Sequence, residues 1–210
     1  MLGILKRDLL LMISSKQTII LLIFYIPLLI TIVDSFVPEI LYFAIIVFYT
    51  YLISTMSFSY DITGKSKYIM SSLPISRRET VLYKYLSTFV YFLATVVYVG
   101  VYLWIINALN FASVDYFNLK QIINALPVVM ILTSIVYPVY FRFEPKIAKI
   151  VQIFLFVFFF TAVSNASFTG DKGIMKYLGK LQWGQIMAIA LIVYILSLMV
   201  SMQVYKNRDI

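Results

Sequence analysis

Apolar residues in this chain come in long runs separated by short polar stretches, and they do not alternate with polar residues. A helix needs roughly 20 mainly apolar residues to cross the hydrocarbon core of a membrane. A chain of 210 residues can therefore hold at most six or seven such helices with short connections and has no room for a separate soluble domain. The pattern predicts a single domain, residues 1–210, with spans at residues 18–33, 40–60, 85–109, 122–141, 147–166 and 183–205.

Prolines modify this picture at three of the spans. The first is short and contains Pro27, and the second opens after Pro38 and Glu39. The fourth contains Pro127 and Pro138, each of which removes one helical hydrogen bond. We therefore expect the fourth helix to be the least regular.

The amino-acid composition is also typical of a protein that is embedded in a membrane. Hydrophobic residues make up 62% of the chain and charged residues 12%, whereas a soluble domain is about half apolar and a quarter charged. These values predict an all-α integral membrane protein. The chain has no cysteine and no histidine. Disulfides, cysteine nucleophiles, histidine proton relays and the usual zinc or haem ligands are thereby excluded, and we expect no metal or cofactor in this chain.

The positions of the basic residues predict the orientation. With the N-terminus inside, 13 of the 17 basic residues fall in cytoplasmic segments and four fall outside, and basic residues prefer the cytoplasmic side. Both termini are then cytoplasmic in a multi-pass protein of the cell membrane. In a membrane protein the positions of the charged residues matter more than their sum, so the net charge of +8 does not indicate a nucleic-acid partner. The four outer residues are Lys120, Lys172, Lys176 and Lys180.

Catalytic motifs are missing from the sequence. Gly64, Lys65 and Ser66 match the end of a phosphate-binding loop, but Ser59 stands where the first glycine is required, and a membrane span precedes the motif. No charged residue lies in the middle of a predicted span, which argues against a proton- or sodium-coupled carrier. We therefore expect no enzymatic activity in this chain.

The loop between the second and third spans carries a helix start. Pro74 breaks the chain, and Ser76 followed by Glu79 has the spacing of a capping box. The helix would place Arg77, Arg78 and Lys84 near the cytoplasmic surface and continue rigidly into the third span. Such a helix is suited to transmit a displacement from the cytoplasmic side into the membrane. The alternative is that these basic residues are topological anchors only.

The first 16 residues have the pattern of an amphipathic helix. Leu2, Leu5, Leu9, Met12 and Ile13 recur at spacings of mostly three or four, and the charged residues lie elsewhere. The pattern predicts an interfacial helix in the inner leaflet, where basic residues attract anionic lipids. A simple anchor before the first span explains the same pattern.

Two motifs resemble those of a known family. The run from Leu73 to Leu86 resembles the S-L-P-[VI]-S-R and K-[YF]-L signature of small type-2 ABC exporter permeases. The N-terminal run resembles the elbow helix of the same permeases, and it comprises Leu5, Lys6, Arg7, Asp8 and Leu9. Six spans, cytoplasmic termini and the length agree with the family by pattern. More narrowly, the sequence is similar to the permease subunits of the staphylococcal exporters of phenol-soluble modulins.

The resemblance implies partners and a coupling site. In this family a permease pairs with a second permease, identical or different, and each binds a cytoplasmic ATPase that holds ATP and magnesium. The loop after the second span is the coupling helix that contacts the ATPase. Carried over here, this assigns to the contact Leu73, Pro74, Ile75, Ser76, Arg77, Arg78 and Glu79, with Lys84 at the junction with the third span.

The leading hypothesis is thus the permease subunit of an ATP-driven exporter of amphipathic or antimicrobial-type peptides. A membrane-embedded peptide-binding or immunity protein that does not pump is an alternative, and a channel is another, although no ring of pore-lining charge is visible. The residues do not determine the substrate, the residues that contact it or the role of the outer loop 167–182.

Overall fold

Helices make up the regular structure of this protein wherever its residues are described. The computed structural model describes residues 38–62, 76–109, 118–169 and 183–206, and a subset of the first 24 residues that includes Lys6, Arg7, Asp8, Ile20 and Ile23. The helices are α1 (Pro38–Ile62), α2 (Arg77–Ala108), α3 (Leu119–Arg142), α4 (Pro145–Thr169) and α5 (Trp183–Lys206). No strand occurs within these ranges, so the predicted all-helical class is confirmed for them.

The five helices coincide with the second to sixth predicted spans. α1, α3, α4 and α5 exceed the predicted bounds by at most a few residues at either end. α2 differs, because it begins at Arg77 rather than at residue 85. The apolar pattern detects only the hydrocarbon-crossing part of a helix, whereas the helix itself begins at its cap. The predicted first span, residues 18–33, lies largely outside the described residues.

Four helices of the described part are long and apolar enough to cross a membrane. They are α2, α3 and α5 over their full lengths and α1 between Leu41 and Phe58. α4 has 25 residues and exposes a row of apolar side chains, among them Ile150, Phe154 and Phe158. The protein is therefore a multi-pass membrane protein, and the complete layout of six spans stays a prediction.

α3 lies at the centre of the bundle. It packs most extensively against α5, then against α1 and α4, while α1 and α5 also pack against α2. α3 is unbroken from Leu119 to Arg142 although it contains Pro127 and Pro138. The two prolines therefore do not interrupt the helix, and the expectation that it is the least regular stays a prediction. Neighbouring helices can satisfy the backbone groups that a proline releases inside a membrane protein.

A relay of hydrogen bonds shows how this happens at Pro138. A proline frees the carbonyl four residues before it, which here belongs to Ser134. The hydroxyl of Ser197 on α5 donates to that carbonyl at 2.6 Å. Tyr85 of α2 lies 2.6 Å from the Ser197 hydroxyl and 2.8 Å from that of Ser201. Since Ser197 has a single proton, Tyr85 donates to it and Ser201 donates to Tyr85.

Gln152 makes a second set of contacts, between α4 and the helices on either side of it. Its side-chain nitrogen donates to the hydroxyl of Thr55 at 2.8 Å, and its backbone carbonyl accepts from Tyr51 at 2.9 Å, both on α1. The hydroxyl of Tyr140 on α3 donates to its amide oxygen. A single glutamine thus ties three helices together.

We predict that Ser197→Ala destabilises the protein by about 1 kcal/mol, because it leaves the Ser134 carbonyl and the Tyr85 hydroxyl without their shared partner. Unfolding of the purified protein in mixed detergent micelles measures this. Thr161→Ala is the matched control, since the exposed Thr161 hydroxyl bonds to Phe158 of its own helix. Equal effects of the two substitutions would contradict the assigned role of the relay.

Candidate functional site

Three contacts place several helix termini at the same end of the bundle. Arg77 at the start of α2 donates to the carbonyl of Lys206 at the end of α5. The rings of Phe141 and Tyr205 lie 5.1 Å apart, which brings the ends of α3 and α5 together. Phe58 of α1 lies 5.2 Å from Phe141 in the same way.

This end collects most of the described basic residues of the five helices, and we call it the basic end. Its exposed basic residues are Arg77, Arg78, Arg142, Lys146, Lys149 and Lys206. At the opposite end, the start of α3 carries Lys120. The geometry therefore gathers residues that are far apart in sequence into one charged surface, as the cytoplasmic assignment of these segments requires.

A capping box begins α2 at the basic end. The backbone N–H of Glu79 donates to the hydroxyl of Ser76 at 3.2 Å, and the N–H of Ser76 donates to the carboxylate of Glu79 at 2.9 Å. This confirms the capping box predicted from the spacing. The first turn is exposed and continues into the membrane-crossing part without a break.

Arg77 contacts the last turn of α5. Its guanidinium donates to the carbonyl of Lys206 at 2.9 Å and to that of Tyr205 at 3.4 Å. The last carbonyls of a helix have no partner within it and carry partial negative charge, so a cation is favourable there. Arg77 therefore joins the start of α2 to the end of α5, a role that spacing alone does not reveal.

Lys84 is buried, and its predicted place near the surface is wrong. Its side chain is 1% exposed and its ammonium lies 3.1 Å from the carboxylate of Asp8, which is 0% exposed. Lys84 also donates to the hydroxyl and the carbonyl of Ser57 on α1, both at 3.1 Å, and lies over the ring of Phe58. A buried lysine persists because all these partners satisfy its charge.

Asp8 joins the N-terminal segment, by which we mean the described residues between Lys6 and Phe24, to α2. Its second partner is Arg7, whose guanidinium nitrogens lie 2.6 and 3.1 Å from one carboxylate oxygen. Tyr83 donates to the other oxygen at 3.0 Å and Tyr91 at 3.4 Å. The amphipathic pattern identified Asp8 as a polar-face residue of an interfacial helix. The structure buries it against α2, because the ion pair with Lys84 lies two turns inside that helix.

The described residues of the N-terminal segment follow α2 in the same chain direction. Asp8 lies beside the early part of α2, while the carbonyl of Ile23 accepts a hydrogen bond from Tyr102, much further along, at 2.8 Å. Two contacts at different levels show that the described N-terminal residues follow the length of α2.

Some predicted site residues lie outside the described part of the chain. They are Leu5 and Leu9 of the elbow motif and Leu73, Pro74 and Ile75 of the coupling motif. Of the remainder, Ser76, Arg77, Arg78 and Glu79 come together at the basic end, while Asp8 and Lys84 form the buried ion pair. Lys6 is exposed. Sequence reasoning missed Ser57, Tyr83 and Tyr91, since a serine and two tyrosines in apolar runs carry no signal of their partners.

A comparison with models of known protein families finds a match. The model of a family described as ABC-2 family transporter protein matches residues 3–206, nearly the whole chain. Searches of curated proteins and of solved structures find no significant match.

We predict that Arg77→Gln loosens the end of α5, because it removes the cation from the helix C-terminus. Such contacts are worth about 0.3–1 kcal/mol, so amide exchange in residues 203–206 should become about two- to fivefold faster. Hydrogen–deuterium exchange with mass spectrometry measures this. Arg78→Gln is the matched control, and acceleration of the same size in both variants would contradict the cap.

Proposed function

Because the chain belongs to the ABC-2 transporter family, we propose that it is the membrane-spanning permease subunit of an ATP-driven exporter. Members of this family are membrane components of transporters and are not themselves catalytic, and membership implies a partner ATPase. The match over residues 3–206 carries this proposal. ATP and magnesium are then bound by the partner, not by this chain.

The ATPase contact is proposed at the start of α2. Its first turn is exposed, is held by the capping box and carries Arg78 and Glu79 on the basic end. α2 continues from this turn through its apolar part as one helix of 32 residues, about 48 Å long. The hydrocarbon core is only about 30 Å thick, so part of α2 extends beyond it, and the charged residues of the first turn favour its start for that part. A displacement of the first turn is thus carried rigidly into the membrane, as a coupling element requires.

The proposed substrate is an amphipathic peptide that reaches the protein from the bilayer. The middles of α2, α3 and α5 contain no acidic or basic residue, and they expose apolar side chains such as Leu93, Val97 and Ile192. Such a surface suits a molecule that is itself partly dissolved in lipid. The resemblance to the exporters of phenol-soluble modulins supports the same substrate class.

A second permease completes the proposed exporter, either an identical chain or a related one. Both chains then present their basic ends to two ATPase subunits on the cytoplasmic side. The surrounding lipid contacts the exposed apolar faces that the second permease leaves uncovered.

We predict that Arg78→Glu lowers recovery of the partner ATPase at least severalfold when the tagged chain is purified in mild detergent. Reversing the charge at an exposed contact creates repulsion without affecting the Arg77 cap. Reversal of both Arg77 and Arg78 should uncouple transport from ATP hydrolysis while leaving membrane insertion intact. Quantitative mass spectrometry of the co-purified proteins measures the first effect, and peptide export from cells measures the second.

Lys149→Glu is the matched control, because Lys149 is exposed on α4 at the same end but lies outside the coupling segment. Normal export by the double variant would refute the coupling assignment. A wild-type chain that purifies without any ATPase would favour the peptide-binding or immunity protein, and ion conductance by the purified chain would favour the channel.

The orientation can be tested directly because the chain contains no cysteine. We predict that cysteine introduced at Lys146 is labelled by a membrane-impermeant maleimide only after the cells are opened, whereas cysteine at Lys120 is labelled in intact cells. The reverse pattern would invert the proposed topology. Both lysines are exposed, so burial does not affect the comparison.

A further inference from the structure

Each polar group that is buried at the contact between Asp8 and Lys84 has a hydrogen-bond partner there. One carboxylate oxygen accepts from Arg7, and the other accepts from Lys84, Tyr83 and Tyr91. The Lys84 ammonium divides its donors between Asp8 and the two oxygens of Ser57. Three parts of the protein, namely the N-terminal segment, α1 and α2, meet at this one ion pair.

Such a contact is difficult to open during a conformational change. Separating the partners would leave an uncompensated charge inside the protein, and its cost far exceeds that of breaking an exposed ion pair. A fully satisfied polar network also fixes a single geometry. The parts that it joins are therefore expected to move together.

The ion pair lies between the proposed ATPase contact and the membrane-crossing part of α2. Lys84 follows Arg78 by six residues, about 9 Å along an unbroken helix. A displacement of the first turn is carried along the helix to Tyr83 and Lys84, and both of these residues bond to Asp8. Because the N-terminal segment follows α2 as far as the contact between Tyr102 and Ile23, the displacement then acts along much of that segment.

We propose that Asp8 is a positioning residue that fastens the N-terminal segment to the cytoplasmic part of α2, so that both move as one body when an ATPase displaces α2. The transmission part of this proposal rests on the proposed function. The fastening itself concerns only this chain.

A distance measurement tests the fastening. The cysteine-free chain permits spin labels at Ile20→Cys and Leu86→Cys, two exposed positions on the N-terminal segment and on α2. In lipid nanodiscs the two labels should give one narrow distance distribution when the rest of the chain is wild type. Asp8→Asn should broaden it, while Lys16→Gln, which removes an exposed charge from the same segment, should not.

A second variant covers the case in which Asp8→Asn fails to fold. Asp8→Asn combined with Lys84→Met replaces the ion pair by neutral side chains of similar size, a change that buried pairs often tolerate. We expect this variant to fold and to bind the ATPase. It should export at least threefold less of a fluorescent amphipathic peptide per ATP hydrolysed, and its label distances should differ between nucleotide-free and ATP-trapped states.

The outcomes separate this proposal from the proposed function. The neutral double variant could export as much peptide per ATP as the wild type and keep the same narrow distance distribution. That result would overturn the proposed role of the ion pair, whose side chains would then contribute only packing. If no ATPase binds the wild-type chain, the proposed function fails, while the distances in nanodiscs still decide whether Asp8 fastens the segment to α2.

Discussion

Hydrogen bonds from the side chains of one helix to groups on another join the helices of this bundle, together with close packing. Between helices in a bilayer there is little hydrophobic force, because lipid tails are as apolar as the side chains themselves. Packing and polar contacts must then specify which helix faces meet. In this protein hydroxyl groups serve that purpose, and the relay from Ser201 through Tyr85 and Ser197 to Ser134 joins α5, α2 and α3.

The same constraint explains how α3 continues past Pro138 at the centre of the bundle. Pro138 frees the carbonyl of the buried Ser134, and Ser197 of α5 donates a hydrogen bond to it. Nearby, Thr133 and Ser134 donate back to carbonyls of their own helix, at 2.7 and 2.6 Å respectively. The hydroxyls of Thr133 and Ser134 are therefore bonded within the helix, and the carbonyl freed by Pro138 is bonded to a neighbouring helix.

The basic end contains both a contact that stabilises the end of α5 and the proposed contact with the ATPase. Arg77 bonds to the end of α5, while its neighbour Arg78 is exposed beside it. The two adjacent arginines therefore differ in what they contact, although their charges are the same. Further along α2, Lys84 is buried, and its ammonium contacts Asp8, Ser57 and the ring of Phe58 instead of water. The basic residues of one short motif thus have three different surroundings.

The sequence by itself determined the class of the protein, the positions of α1 to α5 and the capping box at Ser76. These follow from local causes, namely the length of apolar runs and the bonding of a serine to a backbone N–H three residues away. Only the tertiary structure decided that Arg77 meets Lys206, that Lys84 is buried and that Asp8 is its partner. Such pairs are separated by 76 residues or more, and their meeting depends on how whole helices pack, which no local pattern of residues encodes.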